Sequence, residues 1–187
     1  MKRRHLQNTK LAKRRPDVFQ RNAAELRRLY QRIKDEAARQ PAGPGYHAAC
    51  AEFHQRYDAL AFPGGWRAAQ EKLRRGDAET VETAIRFLES DPYFHRSGYM
   101  KEKIIPRLKH VALTREQRDR LGRLIIESVE TPWRREYRQY ARLAGVLQLP
   151  TIARAMEQRT HCPRDLTRRR ALHVLEIMAM RRPDRPD

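Results

Sequence analysis

This chain has no long hydrophobic run. None of its apolar stretches approaches the roughly 20 residues that a membrane-spanning helix needs. The N-terminal Met1-Lys2-Arg3-Arg4-His5 is not followed by an apolar segment, so a secretory signal is not expected and a cytoplasmic location is. Cysteine is scarce: Cys50 and Cys162 are the only two, too few for a disulfide framework. Aromatic residues make up 7% of the chain, and no segment alternates apolar and polar residues in the manner of a strand.

Acidic residues are the most telling shortage. Asp and Glu number 23 against 41 Lys and Arg, a formal net charge of +18 in 187 residues. Arginine outnumbers lysine and alanine is abundant, a bias that GC-rich codons favour. Codon bias explains arginine in place of lysine, but not the missing acids. An excess of this size points to a polyanionic partner, first of all RNA or DNA, and secondarily an acidic protein.

Catalytic motifs are also missing. There is no paired-carboxylate pocket signature, no Ser–His–Asp set and no glycine-rich phosphate loop. Glu52 beside His54, and Asp91 beside His95, are pairings of a kind that chance produces often. His47, Cys50 and His54 fall at i, i+3 and i+7, with His161-Cys162 far off in sequence. They would form a metal site only if the distant pair folded back. The expectation is a chain with no metal, no cofactor and no catalytic residue.

What remains is helical. Residues 1–15 form a basic arm without acids, carrying Lys2, Arg3, Arg4, Lys13, Arg14 and Arg15, and should be disordered in isolation. N-terminal helices occupy 16–75. Pro16-Asp17 opens the first, whose apolar stripe Phe19, Ala23, Leu26, Tyr30, Ile33 and Ala37 advances in alternating steps of four and three. That stripe is either a short coiled-coil seam or a face packed on the rest of the domain. Pro41 to Gly45 and Pro63-Gly64-Gly65 end the first two helices; Trp66, Ala69 and Leu73 mark a short third, stopped by Gly76.

From Asp77 onward the pattern becomes regular. Asp77 caps a helix with Val81, Ala84, Ile85 and Leu88 inward. Ser97 is the expected cap of the next, which Pro106 should kink or split. Thr114 to Gln117 forms a capping box before Leu121, Leu124, Ile125 and Val129. Thr131-Pro132 reads as a helix start, with Trp133, Tyr137, Tyr140, Ala144 and Leu147 inward. Pro150 opens a short helix, and Cys162-Pro163 opens the last, with Leu166, Leu172, Leu175 and Met178 inward. The tail, 181–187, is expected to be disordered. The sum is an all-α chain of about nine helices.

Helix pairs recur from residue 76 to 180, the first members starting near Asp77, Thr114 and Pro150. Here the chain resembles HEAT-like repeat proteins, through Gly76-Asp77-Ala78-Glu79 opening a first helix and Arg168-Arg169-Arg170-Ala171-Leu172-His173-Val174-Leu175 in a last second helix. The resemblance implies an irregular α-solenoid whose second helices line one surface. It also implies a scaffold or adaptor role, or a regulatory or immunity partner. The HEAT-like fold includes alkylpurine DNA glycosylases, but no catalytic Asp and Trp of that family can be matched here.

The second helices carry the charge. Lys103 and Arg107 sit four apart on the first, Arg138 and Arg142 on the second with Arg134 and Arg135 before them, and Arg164 and Arg168 on the third beside Arg169. Residues four apart on a helix are about 6 Å from each other, close to the spacing of phosphates along a strand. The loop Pro92 to Tyr99 interleaves aromatic and basic residues, Arg96 and Tyr99 among them. Either it stacks bases while holding phosphates, or its aromatics plug the end of the array.

Overall fold

The structure is a computed structural model that describes residues 17–132 and 135–181. The expectations for Lys2, Arg3, Arg4, Lys13, Arg14, Arg15, Trp133, Arg134 and residues 182–187 lie outside these. The described residues form nine α-helices and no strand: α1 (Val18–Arg39), α2 (Pro44–Ala61), α3 (Trp66–Arg74), α4 (Ala78–Ser90), α5 (Ser97–Leu108), α6 (Arg115–Glu130), α7 (Tyr137–Leu147), α8 (Pro150–Arg159) and α9 (Asp165–Met180).

Local chemistry explains most of the helix starts. The Asp17 carboxylate accepts the Gln20 amide at 2.8 Å, and Asp77 accepts that of Thr80 at 2.9 Å. Thr114 and Gln117 exchange both bonds of a capping box, at 3.2 and 3.1 Å. Pro150 stands in the first turn of α8, where its missing N–H costs nothing.

Three expected starts are wrong. Ser97 does not cap α5: it is buried, and its hydroxyl accepts the Phe94 amide at 3.3 Å, while Arg96 holds the cap position with φ +69°. Thr131 does not open α7. It ends α6, its hydroxyl donating to the Glu127 carbonyl at 3.0 Å, and α7 begins only at Tyr137. α9 starts at Asp165, not at Cys162-Pro163. Pro106 lies in the last turn of α5, where it removes one bond without splitting the helix.

The helices stack in two rows. α4 packs on α6 and α6 on α8; α5 packs on α7 and α7 on α9. α1 and α2 form a helical hairpin, with α1 against α4, and α3 lies against α5. The pairings between helices advance in step. Tyr137 of α7 donates to the Arg170 carbonyl of α9 at 2.9 Å, and Gly145 meets Ile177 further along. Likewise Gly122 of α6 faces Leu149 and Ile152, and Glu130 pairs with Arg159 at 2.7 Å. Neighbours within a row therefore run parallel. A Cβ at Gly145 would stand 2.8 Å from Ile177 Cγ2, so glycine permits the close approach of α7 and α9.

The apolar faces of α3 to α8 are buried largely as their periodicity implies, and Leu29 joins the face of α1. α9 is the exception. Met178 is buried and Leu175 half-buried as expected, but Leu166 and Leu172 are 41% and 51% exposed, and Thr167, Ala171 and Val174 face inward in their place. Small residues fit that inner face because α9 meets both α7 and α8. Leu166 and Leu172 sit on the exposed face.

Candidate nucleic-acid interface

The exposed side of α5 carries Tyr99, Lys103 and Arg107, each four residues from the last. They fall on one stripe because Met100, Ile104, Ile105 and Leu108 point to the core. Lys101, also on α5, is buried and ion-paired with Asp91, so it takes no part in the stripe.

α7 lies alongside in parallel. Arg135 stands beside Gly98 and bonds Glu102 of α5 at 2.7 Å, while Arg142 lies near Lys109 at the other end. Arg138 and Arg142 thus sit level with the C-terminal half of α5. Burial, and then the charges of Arg142 and Arg181, hold the Lys109 ammonium below its ordinary pKa. Among the described residues, no acid pairs with any of these three. Arg181 joins the group from the end of α9, far from the other two in sequence.

The third expected stripe lies elsewhere. Tyr137, the first residue of α7, already meets Arg170 and His173. Arg164, Arg168 and Arg169 consequently project beyond the start of α7 rather than alongside Arg138 and Arg142. Asp165 binds Arg168 at 2.6 Å and Arg169 at 2.8 Å, which dilutes the charge there further. Arg170 is occupied structurally, donating to the Ser128 and Thr131 carbonyls and lying 4.4 Å from the Tyr137 ring centroid.

The acidic α4 is compensated from within. Arg120 of α6 reaches both Glu82 at 2.7 Å and Glu89 at 2.6 Å across the first row. Counted over the helices, α4, α6 and α8 hold eight acidic and seven basic residues, whereas α5, α7 and α9 hold three acidic and eight basic ones, so the positive excess lies in the second row.

Three cavities follow α5 on its other flank. The first, about 440 Å³, lies between α1 and the 93–99 segment, and Arg27, Lys34, Tyr93 and Arg135 stand around it. Arg27 donates to the Tyr93 carbonyl at 2.6 Å, fastening α1 to that segment. Tyr30 stacks on His95 with ring centroids 4.4 Å apart, and Lys34 sits 5.0 Å from the Tyr30 centroid. Burial, reinforced by Arg96 and Lys34, holds the His95 imidazole below its ordinary pKa. The second cavity, about 380 Å³, is bounded by Tyr57, Trp66, Arg96, Tyr99, Met100 and Lys103. The third, about 440 Å³, runs between α3 and α5 past Arg74, Lys103 and Arg107.

Arg27 and Lys34 carry no sequence signal for this role, because only the tertiary approach of α1 brings them to the groove. Trp66 is buried, as its helical spacing implied, yet it also lines two of the cavities. Among the described residues, no group of three His, Cys, Asp or Glu side chains, His47, Cys50 and His54 included, is placed to hold a metal ion. No described helix is long and apolar enough to cross a membrane. No family model, no curated protein and no solved structure matches this chain.

Proposed function

We propose that this chain is a non-catalytic nucleic-acid-binding protein that holds phosphate backbone on the face formed by α5 and α7. The observation that carries this reading is the group Lys109, Arg142 and Arg181 at one end of the second row: Arg181 packs against Gly145, three residues on from Arg142, both arginines act on the Lys109 ammonium, and among the described residues no acid pairs with any of the three. Like charges gathered in this way repel one another modestly and make the spot attractive to an anion. Lys103, Arg107 and Arg138 extend it along α5 and α7, and Arg96 stands at its far end. Contacts of this kind grip the backbone and carry little base information. The 1–15 arm adds further positive charge to the same molecule.

The architecture proposed for 76–180 is an irregular HEAT-type array. It is supported by alternate helices stacking on one another, by the parallel run of neighbours within each row, and by the separation of charge between the rows.

The test is fluorescence anisotropy with labelled RNA and DNA over a salt series. Arg138→Glu with Arg142→Glu should weaken binding and flatten the dependence of log K on log salt, by about one unit for each phosphate no longer neutralised. No binding to any nucleic acid at low salt, together with capture of an acidic protein, would sink the proposal in favour of an adaptor role.

A further inference from the structure

We propose that the second cavity receives one unstacked base of a single-stranded nucleic acid, with the flanking phosphates held at Arg96 and Lys103. This inference rests on the nucleic-acid reading above and narrows it to a class of strand.

The cavities are linked. Arg96 and Tyr99 border both the first and the second, and Trp66 and Lys103 border both the second and the third. They therefore form one groove that follows the exposed stripe of α5. From Tyr99 to Arg107 the helix rises about 12 Å, room for a short run of nucleotides.

Three aromatic rings, Tyr57, Trp66 and Tyr99, and the Met100 thioether wall the middle cavity together with the cationic Arg96 and Lys103. The Tyr57 hydroxyl is engaged within the protein, 3.2 Å from the His95 carbonyl and 4.0 Å from Met100 Sδ. Arg135 lies 3.9 Å from the Tyr99 centroid and lines only the first cavity. It braces that ring from one side, while Tyr99 also borders the second cavity and keeps 51% of its surface exposed. Rings and a thioether suit a planar partner, and stacking is indifferent to which base is offered.

Charge selects among planar partners. A quaternary or methylated amine would favour such a ring cage, but Arg96 and Lys103 repel it. Among the described residues, no acidic side chain lines this cavity. The ligand must be aromatic at its centre and anionic at both ends, as a nucleotide within a strand is. A duplex keeps its bases stacked inside and offers only phosphates to the rim, so it cannot fill the cavity. The volume falls in the ordinary range for a small-ligand site, roughly 300–1,000 Å³.

The experiment compares the full chain and its variants on a labelled single strand, the matching duplex, the same single strand with one abasic site per binding length, and free nucleoside monophosphate. Tyr99→Ala should lower single-strand affinity by about 5- to 150-fold and leave the salt slope unchanged. Tyr99→Phe should restore it, since the ring and not the hydroxyl is required. Duplex affinity should not respond to either change. Abasic substitution should mimic Tyr99→Ala in the wild-type chain. The exposed position of Tyr99 makes misfolding an unconvincing explanation, and thermal unfolding of both variants checks it. Equal losses on single strand and duplex, or no loss on either, overturn the base-binding inference and leave backbone binding standing. Monophosphate binding as tight as the strand overturns the assignment to a strand. Failure of every nucleic acid to bind at low salt overturns both readings together.

Discussion

The Arg135 guanidinium lies 3.9 Å from the Tyr99 ring centroid while its Nε donates to Glu102 at 2.7 Å. One side chain from the start of α7 is thus held by an aromatic and an acid of α5. Glu102 also borders the third cavity, placing a carboxylate in an otherwise basic groove. It holds the Arg135 guanidinium above its ordinary pKa.

Glu102→Gln should therefore tighten nucleic-acid binding. The amide keeps a weaker bond to Arg135 and removes one negative charge. A gain of about two- to fivefold at low ionic strength, fading as salt rises, is expected from anisotropy titrations. Unchanged affinity at low salt would mean that the groove does not carry the polyanion.

Arg120 should matter for stability. It is largely buried and satisfies two carboxylates of α4 at once. Arg120→Ala leaves Glu82 and Glu89 facing each other and should cost about 1–3 kcal/mol by urea denaturation. Arg168→Ala removes only an exposed intrahelical pair and should cost under about 1 kcal/mol. Burial alone would raise the Glu82 carboxyl, but bonds from Arg120 and Gln117, with the charges of Arg120 and Arg86, outweigh it and hold its pKa below the ordinary value of 4.5. That carboxyl ionises more readily folded than unfolded. Its stabilisation is present above pH 4.5 and is lost as pH falls through the lower folded value. Arg120→Ala should flatten this acid limb of the stability profile.

The register of α9 gives a third expectation. Leu172 is half exposed and Val174 is fully buried. Leu172→Ala should change stability by no more than about 0.5 kcal/mol, whereas Val174→Ala should cost about 1–3 kcal/mol. The order would be reversed if the leucines faced inward, and thermal unfolding distinguishes the two.

Where one element settles its own geometry, the sequence was readable. Asp77, the Thr114–Gln117 box and the stripes of α4 and α6 need nothing beyond their neighbours in the chain. Ser97 and Thr131 misled because a hydroxyl before a helix-like pattern serves equally well as an inward acceptor or as a bond back to the preceding turn. In α9 the apolar residues satisfy two helical registers, and only the surfaces of α7 and α8 choose between them. The site divides in the same way. Lys103, Arg107, Arg138 and Arg142 were legible as i, i+4 pairs on exposed faces of α5 and α7, two helices that pack against each other. The pairing of Arg135 with Glu102, the axial offset of α9, and the arrival of Arg27 and Lys34 from α1 all depend on how helices dock.

Arg96 sits at the junction of two cavities in a left-handed backbone conformation, φ +69°, that favours glycine. An L-residue held there costs roughly 1–2 kcal/mol. The cation that would grip the strand is thus also a site of stored strain, and the two properties pull in opposite directions. Arg96→Gly relaxes the backbone as it removes the charge, so the sturdier protein would be the poorer binder. On the proposed role of the groove, the chain gives up thermal resistance at this position for a guanidinium at the groove mouth.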